Sequence, residues 1–140
     1  DEGFHQEFDW IGTGDPTNYL AAPEGLALLR EWGFDAVLAY IHGLARDAAV
    51  LLTERWHTRL DTPASMIGAM VTVPLPEAAG TRSEEAASLR TALLVEERIE
   101  VQLHAWRERL WVRVSAQVYN EMADVERLAD AVLRRVALPR

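Results

Sequence analysis

The chemistry to weigh first is that of Arg113. It stands in a stretch where apolar Leu110, Val112 and Val114 alternate with Trp111, Arg113 and Ser115. Such alternation describes a strand with one buried face, and it puts Arg113 on the other face, beside Trp111. A guanidinium there can close a cross-strand ion pair with Glu100, or it can offer its planar fork to both oxygens of a ligand carboxylate. The pattern leaves both open. His104, at the end of the preceding alternating stretch, is a possible active-site residue, with a plain structural role as the alternative. His5, His42 and His57 are scattered without ligand spacing, so no metal site is expected.

The residue types that are missing narrow the field further. All 14 basic residues are arginine, so chemistry that needs a lysine nucleophile or base on this chain is excluded. There is no cysteine, which removes disulfides, thiolate nucleophiles and thiolate metal sites together. With 22 acidic residues and a net charge of −8 over 140 residues, a phosphate-binding basic face is not expected, and nucleic acid is not an expected partner. No uninterrupted apolar run reaches the length of a membrane span, and Asp1-Glu2-Gly3 is the reverse of a basic signal-peptide head. The expectation is a cytoplasmic protein without a membrane partner.

The elements that must position Arg113 follow from periodicity. Residues 1–14 form an irregular leader with Phe4, His5, Phe8 and Trp10, and regular signals run over 15–140. Asp15-Pro16 opens a helix that Pro23 should break or kink near Ala22, giving a short turn and then a second piece through Arg30, with Gly33 closing the segment. Phe34, Val37, Leu38, Ile41, Leu44, Ala45, Ala48, Leu51 and Leu52 share one stripe of a long amphipathic helix over 35–59. Ile67, Ala69, Val71 and Val73 alternate as a strand, Ser83 to about Glu97 reads as a helix, and a last helix runs from Glu121 to Val136. Ile99, Val101 and Leu103 alternate as well, and with the Arg113 strand they make a hairpin. The fold class is therefore α+β, a three-stranded antiparallel sheet with helices packed on one face. Two registers fit the hairpin. One sets Glu100 across from Arg113 and Gln102 across from Trp111; a shift by two sets Gln102 across from Arg113 and His104 across from Trp111.

Two stretches carry a resemblance. LWVRVSAQVYNEMADVERLADAV, over 110–132, resembles the C-terminal signature of class V aminotransferase-type pyridoxal-phosphate enzymes, an Arg-x-Ser-x-x-x-Tyr-Asn segment, here Arg113, Ser115, Tyr119 and Asn120 followed by Asp124 and Leu128. EFDWIGTGDPTNYLAAPEGLALL, over 7–29, is similar to the segment by which that superfamily enters its small domain, and the two together resemble the isopenicillin N epimerase-like branch. The resemblance implies a C-terminal small domain whose partner large domain, carrying the cofactor lysine, lies upstream, in a homodimer acting on an amino acid. It implies that Arg113 binds the substrate carboxylate and that Gly12 and Thr13 reach the pyridoxal phosphate of the neighbouring subunit. A hydroxyl and free backbone N–H groups between Gly12 and Gly14 suit a phosphate, although an ordinary turn before Asp15 is the alternative.

Cysteine desulfurases of this class carry a persulfide-forming cysteine shortly before the arginine. Leu103 to Arg109 holds His104 and Trp106 but no thiol, which favours epimerase-like or C–S lyase-like parent chemistry. On this reading the chain is inactive alone and holds no cofactor by itself. The competing expectation is an autonomous noncatalytic α+β module that binds a partner or a small acid on its sheet face.

Overall fold

The computed structural model describes residues 14–137, together with Gly3 and Gly12. The chain falls into two compact units, 1–34 and 35–140. The described part of the first is one helix, α1, Thr17–Trp32. Asp15 Oδ1 accepts the Thr17 backbone N–H at 2.9 Å, and Gly33, at φ 82°, closes the other end by donating its N–H to Arg30 O. The helix runs through Pro23 as one element, so the expected division into two pieces near Ala22 does not occur. None of its residues is buried, so water can take the Tyr19 carbonyl that Pro23 leaves without a donor.

The second unit runs α2 (Phe34–Trp56), β1 (Met70–Pro74), α3 (Ser83–Glu96), β2 (Gln102–Trp106), β3 (Arg109–Ser115) and α4 (Met122–Ala137), with single 3-10 turns at Ala64–Met66 and Glu77–Ala79. The three strands form one antiparallel sheet in the order β1-β3-β2. β1 and β2 therefore run in the same direction with β3 inserted between them, and α3 makes the crossover. Val71, Val73, Leu103, Leu110 and Val112 meet Leu52 and Trp56 of α2, Leu93 of α3, and Leu128 and Val132 of α4 in a single core. Helices cover one sheet face, as the alternation predicts, and the other face is left to carry the polar set. By length and mean hydropathy α2 could also cross a membrane. Here it is the central helix of the core: Ile41, Leu44, Ala48, Leu52 and Trp56 are buried, and Arg46 and Asp47 lie exposed at its midpoint.

Three boundaries differ from the periodic pattern. β1 begins at Met70 and not at Ile67, because the 3-10 turn Ala64–Met66 ends there with Ile67 N–H donating to Ala64 O, so Ile67 and Ala69 lie outside the strand. The other two also have local reasons. α2 stops at Trp56, three residues before Arg59, because His57 turns into the left-handed region at φ 52° and Thr58 N–H bonds back to Thr53 O. β2 begins at Gln102 rather than Ile99. Arg98 sits at φ 55°, and Ile99 N–H closes a six-residue bond of 2.9 Å to Leu93 O. Arg98 leaves α3 in the left-handed conformation where glycine is usual, and the Ile99 bond closes the helix end. Arg127 of α4 donates to the carbonyls of Glu97 and Arg98 at 2.6 and 3.2 Å, so this segment is committed to the helices.

The same corner holds an ion-pair cluster. Arg135 meets Glu97 at 2.7 Å and Glu96 at 2.6 Å, and Arg134 meets Glu97 at 2.9 Å. The hydrogen bond from Arg134, then that from Arg135, holds the Glu97 carboxyl below its ordinary value. A carboxyl with a lowered folded-state pKa stabilises the fold at any pH above its unfolded value, and the contribution disappears as pH falls through the folded value. Chemical denaturation should therefore show the wild type more stable than Glu97→Gln at pH 7 and level with it at acid pH, below the ordinary carboxylate range. A gap that persists unchanged in acid would mean that the cluster acts through something other than the ionised carboxylate.

Candidate functional site

The candidate site is the uncovered face of the sheet, and the strand register assembles it row by row. Arg113 on β3 lies between Thr72 of β1 and Gln102 of β2. One row along, Trp111 lies between Pro74 and His104, and beyond it Arg109 faces Trp106. The register is thus the one with Gln102, not Glu100, across from Arg113. Glu100 precedes β2, so the cross-strand ion pair is ruled out. Arg113 is exposed, and among the described residues its side chain has no hydrogen bond or ion pair. A central-strand guanidinium with no carboxylate on either neighbour is open to a carboxylate from outside.

His104 shares this face, exposed, in the middle of β2 rather than at its end. Sequence reasoning missed the arrangement next to it. The hairpin turns on only two residues, Arg107 at φ 48° and Glu108 at φ 55°. Both are left-handed, as a type I′ turn requires, yet neither is the Asn or Gly that favours it. Around the turn, Trp111 Nε1 donates to Trp106 O at 2.9 Å, and the two rings meet edge to face with centroids 5.4 Å apart. The Arg107 guanidinium lies over the Trp106 ring, 4.3 Å from its centre. Arg109 Nε donates to Leu75 O at 3.1 Å, which ties the hairpin to the end of β1. Without an Asn-Gly pair the sequence carries no signal for so tight a turn. The stretch from Leu103 to Arg109 that lacks a thiol is thus two strand ends and a two-residue turn, with no loop to carry one.

An open groove of about 730 Å³ runs along this part of the face. Thr72, His104, Trp106 and Trp111 form its floor, and Arg59 and Met66, from the segment after α2, stand on its far side. It starts at Thr72, the direct strand partner of Arg113.

The rest of the Arg113 motif is structural. Asn120 Oδ1 accepts Gln117 N–H at 3.1 Å, its carbonyl accepts the Tyr40 hydroxyl at 2.6 Å, and Asp124 reaches back to Glu121 N–H at 3.1 Å. These bonds set the turn out of β3 and cap α4. Tyr119 is exposed.

Gly12 belongs to the other unit. It adopts φ +85°, where glycine is favoured, with open space where a Cβ would stand. Thr13 lies outside the described residues. Asp15 already occupies the first N–H of α1, and the Thr17 hydroxyl and amide hold its carboxyl below the ordinary value.

No family model matches the chain. It is 36% identical to the isopenicillin N epimerase of Streptomyces clavuligerus over 86% of its own length and 30% of that enzyme. It is 31% identical to an L-cysteine desulfhydrase of Arabidopsis thaliana over 96% of its own length and 34% of that relative. Its homologues are thus enzymes of these two kinds, and the chain spans about a third of the length of the curated relatives it matches.

The left-handed turn makes a stability prediction. Glu108→Gly relieves a non-glycine residue at positive φ while adding some unfolded-state entropy, for a net gain of about 0.5 kcal/mol. Urea denaturation should show a higher midpoint at unchanged slope. A lower midpoint would mean that the Glu108 side chain supports the turn through contacts.

Proposed function

We propose that the chain is the small-domain portion of a pyridoxal-phosphate enzyme of the class V aminotransferase type, resembling isopenicillin N epimerase, and that Arg113 holds the carboxylate of its amino-acid substrate. The carrying observation is the uncommitted guanidinium at the centre of the sheet's bare face, in the motif that the resemblance assigns to that task. The homologous epimerase and desulfhydrase, each aligned over only a third of its length, support the assignment to a part of a larger enzyme. In the assembled homodimer, Gly12 and Thr13 would approach the cofactor phosphate of the neighbouring subunit, and the positive-φ glycine backbone fits that use.

The fit is partial on this chain. Arg113 suits a carboxylate and the glycine turn suits a phosphate, but there is no lysine to hold the cofactor covalently. When bound in the whole enzyme, the cofactor would withdraw electrons from the substrate carbon. This chain's residues would fix the substrate: Arg113 orients it by two parallel N–H bonds, while His104 and Trp111 border the adjoining space. The desulfhydrase relative supports a C–S lyase as the second reading. The same Arg113 contact would serve it, since binding the carboxylate is independent of which bond to the substrate carbon is broken.

Two results test this. Pyridoxal phosphate mixed with the 140-residue chain should keep the absorption spectrum of the free cofactor, and a stable altered spectrum would contradict the assignment of the cofactor lysine to another segment. In the whole enzyme, Arg113→Ala should raise KM for the amino acid by roughly ten- to a hundredfold, the size of a lost charge-assisted contact. An unchanged KM would remove Arg113 from the substrate site.

A further inference from the structure

The groove beside Arg113 is more basic than the chain that builds it. Acidic residues outnumber basic ones 22 to 14, yet Arg59, Arg107, Arg109 and His104 line this groove against a single acid, Asp61. Asp61 is taken by Arg59 at 2.7 Å. Arg107 is held only by the face of Trp106, and Arg109 only by one bond from Nε to a carbonyl, so among the described residues neither guanidinium has a carboxylate partner. Two uncompensated arginines with tryptophan rings between them and Arg113 make a surface for a ligand that is anionic at both ends and apolar between. The strand sets the scale. Arg109 and Arg113 are four residues apart on β3, about 13 Å at strand rise, and Trp111 stands between them on the same face with its ring against Trp106.

We propose that this groove is a second anion subsite, which selects an elongated substrate carrying a distal carboxylate on an extended chain. The inference rests on the reading of Arg113 as the anchor for the first carboxylate. Arg107 is the selective residue, because its guanidinium is spread on Trp106 at the far end of the groove and has no other role in the hairpin beyond that contact. Holding a non-glycine residue at φ 48° to present it there is consistent with such a use.

The test compares probes that differ in one group. Suberate, an eight-carbon dicarboxylate, and octanoate, its monocarboxylate counterpart, are titrated into the 140-residue chain by calorimetry, with amide NMR shifts reporting the location. Suberate should bind about tenfold more tightly than octanoate, with shifts at Trp106, Trp111 and Arg113. Arg107→Asn should bring the two affinities within about twofold, and Asn tolerates positive φ, so the hairpin is retained. Equal affinities in the wild type, both lost in Arg113→Ala, would overturn the second subsite and leave the Arg113 reading standing. A suberate preference that survives in Arg113→Ala but is lost in Arg107→Asn would retain the subsite and overturn the anchor. Absence of binding by either probe at millimolar concentration would overturn both.

Discussion

The pairing of β3 with a neighbour on each side is the constraint on which the molecule depends. A strand's faces alternate with a period of two, so the register that turns Leu110 and Val112 into the core also turns Trp111 and Arg113 out. Burying a side chain of this size stabilises by about 1.5–3 kcal/mol, and five such residues across the sheet fix the parity beyond dispute by any surface contact. Parity does not distinguish the two registers that share it. A cross-strand pair of Glu100 with Arg113 would add no more than about 1 kcal/mol at an exposed site. The observed register instead gains the edge-to-face contact of Trp106 with Trp111 and the bond of Trp111 Nε1 to Trp106 O. It also leaves Arg98 and Ile99 free to close α3. Arg113 is unpaired as a by-product of interactions made elsewhere.

That outcome joins the fold to the proposed chemistry. The helices, anchored by Trp56 Nε1 on Ala129 O and by the arginine cluster around Glu97, occupy one face and hold the sheet still. The other face carries the arginines, tryptophans and His104. An arginine in the middle of the central strand has its backbone bonded on both sides, so its position is set by the sheet and little is left to loop motion. The two-residue turn extends this rigidity to the hairpin tip, where a longer connection would be free to move.

Much of this was legible in the amino-acid pattern, and the exceptions have physical causes. Alternation identified the inward residues of all three strands, and the 3.6-residue period identified α2, α3 and α4. What periodicity cannot carry is competition between local and distant partners. Pro23 reads as a break or a kink, yet an exposed helix can continue and leave one carbonyl to water. Ile99 and Val101 alternate as a strand would, yet Arg98 at φ 55° and the Arg127 contacts commit that segment to the end of α3. Trp106-Arg107-Glu108-Arg109 has none of the residues that announce a type I′ turn, so the groove that the turn helps to form had no counterpart in the pattern. The site arginine was visible because its neighbours alternate. Its freedom from Glu100 was not, since two registers satisfied the same alternation.

Whether the Arg113 guanidinium is open or paired can be observed through its Nε–H in ¹⁵N-resolved NMR of the 140-residue chain. The register with Gln102 opposite predicts a solvent-exchanging signal that Glu100→Gln leaves in place and that moves when a free amino acid such as glycine is added. A protected signal that shifts in Glu100→Gln and ignores glycine would show an internal ion pair in place of an open carboxylate site.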